Sequence, residues 1–218
     1  MFDLDKDEMR AKELEKYVKL YSQTDYGNWN HGKEVYLDFR FKRNLLEEEI
    51  YSILDAGCGG GSFIKDVYNL LIHQSRGRFE DKVKEIKLVG LDFASIPEEG
   101  IVFNDNIQLM RGDICSLPFE DGSFDIVTCF DVLEHLLEFD VLVALKELKR
   151  VAKRELYLKP SYRESNGKSV DGEDLHPTVK PESWWIGQIE SIGVESVERI
   201  YHIGDDDDPK TSVLHVIL

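Results

Sequence analysis

Ile53-Leu54-Asp55-Ala56-Gly57-Cys58-Gly59-Gly60-Gly61-Ser62 decides the fold. The stretch begins apolar and β-prone, meets an acid and breaks into glycines. Phe63, Ile64, Val67, Leu70 and Leu71 then follow at helical spacing. This predicts a strand, a tight turn and a helix start. A turn without Cβ atoms lets a ligand lie against the backbone, and a helix N-terminus presents N–H groups that have no partner in the helix. Nucleotide-like cofactors are held this way.

The glycine spacing narrows the choice. A dinucleotide-binding turn wants glycine at its first, third and sixth positions. Counted from Gly57 the sixth is Ser62, whereas Gly57, Gly59 and Gly61 occupy the first, third and fifth, with Asp55 two residues ahead. Leu54-Asp55-Ala56-Gly57-Cys58-Gly59-Gly60-Gly61 resembles the first motif of the class I S-adenosylmethionine (SAM) methyltransferases. A second apolar run, Ile86 to Leu91, ends on Asp92, as the family's second motif does. An ionised carboxylate only accepts hydrogen bonds, so an aspartate at a strand's carboxyl end suits the two hydroxyls of a ribose. Phe124-Asp125-Ile126-Val127 followed by Val132-Leu133-Glu134-His135 resembles the fourth motif of the type 11, or ubiquinone-biosynthesis-like, small-molecule branch. The resemblance covers residues 50–160 well and the remainder loosely.

The resemblance implies an α/β fold: a Rossmann-like seven-stranded methyltransferase sandwich closed by an antiparallel C-terminal hairpin. It implies SAM as cofactor, S-adenosylhomocysteine as product and a small-molecule methyl acceptor. Asp55, Ala56, Gly57, Cys58, Gly59 and Gly61 would hold the methionine end. Asp92 and Phe93 would meet the ribose, and Asp113 and Ile114, in Arg111-Gly112-Asp113-Ile114, the adenine. Asp131 would face the sulfonium. The structural alternatives are a ligand-free glycine turn, and turn or N-cap roles for Asp92 and Asp113. Two histidines are candidates for acid–base work: His135, beside Glu134, and His176, which stands before the Trp184-Trp185 helix as a histidine does in many relatives. Their alternatives are loop-shaping and backbone bonding.

Outward from this centre, residues 1–50 read as an N-terminal helical cap within the same domain and 51–218 as the core. Helices are expected over Asp7–Tyr21 and Val35–Glu49, with an aromatic break at 26–32 where Tyr26, Trp29 and His31 either line a substrate pocket or pack the cap. Residues 74–85 read as an exposed connection. Phe93–Asn106 lacks the helix most relatives have, because Pro97, Gly100 and Asn104-Asp105-Asn106 interrupt it. Asp140–Val151 is an amphipathic helix and Glu155–Lys159 a strand. A helix beginning at Pro181 is expected to pack Trp184, Ile186, Ile189 and Ile192 on the sheet. Strands follow over Val197–Ile203 and Thr211–Leu218, with Asp205–Pro209 at their tip.

Composition excludes several classes. The net charge of −16 over 218 residues disfavours a broad nucleic-acid interface. No apolar run reaches membrane-spanning length, and the acidic, polar start is unlike a signal peptide. Cys58, Cys115 and Cys129 cannot all pair and lack metal-ligand spacing, which fits a reducing cytoplasmic setting and gives no metal expectation. Glu173, Asp174 and His176 match no recognised ligand pattern. Asp131-Val132-Leu133-Glu134 replaces the Asn/Asp-Pro-Pro-aromatic step of amino-group methylases, and no Pro-Cys pair serves C5-cytosine chemistry. The remaining alternatives are a catalytically silent SAM-binding partner module, a methyltransferase acting on a protein side chain, and an NAD-dependent oxidoreductase.

Overall fold

Period-two alternation along the central strands sends neighbouring side chains into two separate cores. The computed structural model describes residues 5–24, 26, 41, 45, 50–74, 85–205 and 208–218, excepting the side chains at 202, 204, 205, 208 and 209. Helix α1 spans Lys6–Gln23, β1 Ser52–Ala56, α2 Ser62–Gln74, β2 Lys87–Asp92, β3 Ile101–Val102, β4 Ile107–Arg111 and β5 Phe124–Phe130. A 3-10 turn follows at Leu133–His135. Then come α3 Glu138–Val151, β6 Ala152–Lys159, α4 Glu182–Ser191, β7 Ser196–Asp205 and β8 Asp208–Ile217.

The strands form one sheet in the order β3-β4-β2-β1-β5-β6-β8-β7. From β4 to β6 all neighbours are parallel, and β8 pairs antiparallel with both β6 and β7. On one face Leu54, Val89, Val127, Leu156 and Leu214 pack with Val141, Leu145 and Leu148 of α3 and Trp185 and Ile189 of α4. On the other, Ile53, Leu88, Ile126, Tyr157 and Val213 pack with Ile64, Val67 and Leu71 of α2. Every residue of β5 is buried, as a central parallel strand covered on both faces must be.

The seven-stranded sandwich is therefore present, and a two-residue strand is added to it. Ile101–Val102 pairs antiparallel with β4 in the segment that lacks a helix. Two residues are too short to show periodicity. Helix α4 turns out to bury Trp185 completely, while Trp184, Ile186 and Ile192 are only partly covered. The four residues expected to pack on the sheet all do so, Ile189 completely, and Trp185 joins them at the deepest position. Trp29, His31, residues 75–84 and most of the Val35–Glu49 segment lie outside the described residues, as do Asp206 and Asp207 of the hairpin tip.

Helix α1 starts on a capping box: Asp5 accepts from the N–H groups of Asp7 and Glu8, and Glu8 accepts in return from the Asp5 N–H. It lies against the carboxyl-end side of the sheet. Arg10 pairs with Asp140 at the start of α3, and the Lys16 ammonium donates to the Asp174 carbonyl at 2.8 Å.

Candidate active site

At the end of β1 the chain turns on glycines with positive φ: Gly57 at 83°, Gly59 at 51° and Gly61 at 76°. A Cβ on Gly57 would stand 2.1 Å from Cγ2 of Val132, so the two carboxyl-end loops interlock only because Gly57 has no side chain. The loop's N–H groups are largely used within the chain. Gly57 and Cys58 both donate to the Leu91 carbonyl, at 2.7 and 3.0 Å, and Gly61 donates to the Cys58 carbonyl. The glycines thus provide close approach and a turn, and only a reduced set of donors remains for a ligand.

Asp92, 7% exposed at the end of β2, fixes this loop. One carboxylate oxygen accepts from the Gly59 N–H at 3.0 Å. The other accepts from Ala94 and Ser95 at 2.9 and 2.8 Å, and the Ser95 hydroxyl returns to the Gly59 carbonyl at 2.8 Å. A carboxylate has about four acceptor positions, so three backbone bonds leave it able to accept another. Asp92 thus organises the turn and also lies on the cavity wall. Asp113 behaves alike: one oxygen accepts from the Cys115 N–H at 2.8 Å, and Asp113 and Ile114 both line the cavity. Asp55 is anchored across the strands by the Thr128 hydroxyl at 2.6 Å.

These residues surround one cavity, with about 1180 Å³ of empty space including its open mouth. Asp55, Gly57, Cys58, Gly59, Asp92 and Phe93 lie on its wall, as do Asp113, Ile114, Asp131 and His135. Ala56 and Gly61 are not among the lining residues, and neither is His176. Among the described residues the lining carries six carboxylates (Glu13, Asp55, Asp92, Asp113, Asp131 and Asp140) against one guanidinium, Arg10. Such a wall favours a cation and repels a pyrophosphate.

Asp131 adopts φ 51° although it is not glycine, and its N–H donates to the Lys159 carbonyl at 2.7 Å. Its carboxylate pairs with the Lys159 ammonium at 2.8 Å, with side chains 16% and 7% exposed. Sequence reasoning missed Lys159; the signal was a lone cation at the end of a buried strand, just before Pro160. It also missed the contribution of α1, whose Tyr17 and Tyr21 reach the same wall, one helical turn apart; Tyr26 beyond the helix, one of the residues considered for a pocket, lies there too. Burial pushes all three hydroxyls above the ordinary tyrosine range, so they are neutral hydrogen-bonding groups.

His135 and His176 meet. Their ring centroids are 4.8 Å apart. Thr178 makes the meeting possible: its N–H donates to the Glu134 carbonyl at 3.2 Å and its hydroxyl to the Leu136 carbonyl at 2.7 Å, pinning the loop after β6 to the 3-10 turn. His176 Nδ1 bonds the Arg163 carbonyl at 2.7 Å, and burial lowers its pKa. Glu173 and Asp174 instead pair with Lys12 and Lys168 on the surface. Burial, and then the neighbouring Asp131, raises the pKa of Glu134, only partly offset by nearby backbone N–H groups. Burial also keeps Cys58 protonated.

The sequence family described as a methyltransferase domain matches residues 54–158. The demethylmenaquinone methyltransferase of Lactococcus lactis is 34% identical over 137 residues, which is 59% of this chain and 44% of that protein. An uncharacterised protein of Methanocaldococcus jannaschii is 28% identical over 160 residues, 66% of this chain and 58% of that one. The chain spans about half the length of these curated relatives. Magnesium protoporphyrin IX methyltransferase from Synechocystis, solved with S-adenosylhomocysteine, superimposes with a TM-score of 0.56 at 16% identity, covering 97% of this chain and 96% of that one. At that identity the likeness is one of fold. Residues 54–158, which carry the glycine loop and the acidic strand ends, thus match the methyltransferase domain family, and the closing hairpin completes a fold like that of solved methyltransferases.

Proposed function

We propose that the chain transfers the methyl group of SAM to a small-molecule acceptor. The observation that carries the reading is the acidic cavity beside the Gly57–Gly61 turn, with Asp92 at the carboxyl end of the next strand. The residues fit the cofactor. A sulfonium compound with one ribose and no phosphate suits a wall of carboxylates, whereas the two phosphates of NAD do not.

When bound, the cofactor supplies an already activated methyl group, so the protein's contribution is orientation and exclusion of water. Asp92 accepts from the ribose hydroxyls while its backbone bonds keep the Gly59 turn in register. Asp113 would accept from the adenine amine and Ile114 would lie against the ring. Gly57, held against Val132, lets the methionine portion lie on backbone, and Asp131 places negative charge near the sulfonium. Tyr17, Tyr21 and Tyr26 close the cavity from the α1 side and donate hydrogen bonds as neutral hydroxyls. His135 lies on the wall between these tyrosines and Asp131, where it can receive a proton from an acceptor hydroxyl through its lone-pair nitrogen. His176 meets His135 and acts through it, as a positioning residue.

The small-molecule reading draws support from the cavity's cover by α1 and from relatives named for quinone and porphyrin substrates. The test is transfer of isotopically labelled methyl from SAM to a panel of quinols and phenols. Label in extracted small molecules supports the reading. Label found only on added protein, or no turnover despite tight cofactor binding, overturns the choice of acceptor.

A further inference from the structure

Glu134 is fully buried, and among the described residues neither of its carboxylate oxygens has a well-formed hydrogen bond; the Glu134 and Ser161 N–H groups and the Lys159 ammonium offset its burial only in part. Leaving a buried carboxylate unpartnered is costly, and proteins meet that cost with paired charge or a metal. One donor atom each from Glu134, His135 and His176 lie within 4.8 Å of one another. The two imidazoles stand at 72° to each other, and each has a backbone carbonyl at Nδ1. His135 Nδ1 is 2.7 Å from the Leu175 carbonyl, and His176 Nδ1 is 2.7 Å from the Arg163 carbonyl. A carbonyl oxygen only accepts, so each Nδ1 carries the hydrogen and each Nε2 carries the lone pair. A backbone carbonyl on the far nitrogen is how proteins hold a metal-ligating histidine in its tautomer and orientation. Tyr17 strengthens the arrangement, its hydroxyl 2.8 Å from His135 Nδ1 and bonded to the same Leu175 carbonyl. The Tyr26 hydroxyl stands 3.4 Å from His135 Nε2, a long hydrogen bond that a cation would replace.

We propose that Glu134, His135 and His176 bind a divalent first-row transition cation, with Zn²⁺ the best-matched ion. Two imidazole nitrogens and one carboxylate suit such a cation better than Mg²⁺ or Ca²⁺, which take oxygen ligands. Three protein ligands are the set of sites that keep a position open. His135 belongs to the cavity wall, so the open position faces the cavity. Asp131 lies beside Glu134 in space, with its carboxylate paired to Lys159. A hydroxyl taken at the open position loses its proton more readily, which would suit an oxygen acceptor and would take the place of His135 as base, because the cation occupies the same Nε2 lone pair. That last step rests on the methyltransferase reading; cation binding itself does not.

The test uses the full chain, stripped with EDTA, titrated with Co²⁺ under visible absorption, then with Zn²⁺ as competitor. S-adenosylhomocysteine is titrated into the same preparations by calorimetry. Wild type should bind one equivalent of Co²⁺, release it to Zn²⁺ and gain thermal stability on loading. Glu134→Gln and His176→Gln should each weaken Co²⁺ by about tenfold or more, while the surface variant Glu173→Gln should not. Circular dichroism checks folding, and if Glu134→Gln fails to fold, the less buried His176→Gln decides. Absence of saturable one-equivalent binding to wild type overturns the site, as does unchanged affinity in His176→Gln. Cofactor binding without cation binding rejects only the cation site. Cation binding without cofactor binding supports the site and rejects the methyltransferase reading.

Discussion

Replacing Gly57 with alanine tests the interlock on which the cofactor turn depends. The residue sits at φ 83°, and an added Cβ would lie 2.1 Å from Cγ2 of Val132 and 3.1 Å from its Cβ and Cγ1. The left-handed conformation costs a residue bearing Cβ about 1–2 kcal/mol, and forcing a methyl into an occupied space costs about 1–3 kcal/mol. Gly57→Ala should therefore destabilise by about 2–5 kcal/mol. Val132→Ala removes both offending methyls and, at a half-buried site, costs about 1 kcal/mol by itself. In the double variant the 2.1 Å contact vanishes while the backbone cost stays. The double variant should fall short of the sum of the singles by about 1–3 kcal/mol. Urea unfolding followed by circular dichroism and tryptophan fluorescence supplies the four stabilities, and S-adenosylhomocysteine titration supplies the four affinities. Additive single effects would refute the interlock. So would a Gly57→Ala protein within about 0.5 kcal/mol of wild type.

Other consequences are open to direct measurement. Lys159→Met removes the ammonium 2.8 Å from Asp131, beside buried Glu134, and should cost about 3–5 kcal/mol in urea unfolding, much of it regained in Lys159→Met/Asp131→Asn; equal stabilities of single and double variants would contradict this. Burial, with Asp113 and Asp140 nearby, pushes the Cys115 thiol up to about 12, so at pH 8 only about one molecule in 10⁴ carries the thiolate. Alkylation there should be far slower than for a free thiol, and slower still with S-adenosylhomocysteine bound. Asp174 is held at about 2 by its bonds with Lys168 and the His176 N–H, below the 3.8 of a free aspartate. Its contribution to stability is fully present above pH 3.8 and is lost as the pH falls through about 2, so acid should destabilise wild type more steeply than Asp174→Asn across that window.

What was legible in the sequence was local chemistry on regular elements. The alternation of β1 and β5, the helical spacing after Ser62 and the acids at strand ends all report on their own immediate surroundings. Asp92 could therefore be placed at a strand's carboxyl end from its neighbours, whereas Asp113 was singled out by the family resemblance. Other features depended on what a residue meets far along the chain. The helical spacing of Tyr17 and Tyr21 marks them as turned inward without saying that they cover a cofactor cavity. Lys159 became visible as a site residue only when the end of β6 lay beside Asp131. His135 and His176 are drawn together by Thr178 bonding to Glu134 and Leu136, a register that no spacing encodes. The glycine turn was located correctly, but the sequence did not reveal that Leu91 and Asp92 would take up its N–H groups.

The most direct test of the central claim is calorimetric titration of the ligand-free chain with SAM and S-adenosylhomocysteine, wild type against Asp92→Ala. The substitution removes the ribose acceptor and releases the Gly59, Ala94 and Ser95 N–H groups together, so affinity should fall by about tenfold or more, given that a hydrogen bond to a charged group contributes about 1.5–3 kcal/mol. The account predicts micromolar binding by wild type and its loss in a folded variant. A folded wild type that binds neither compound would contradict it.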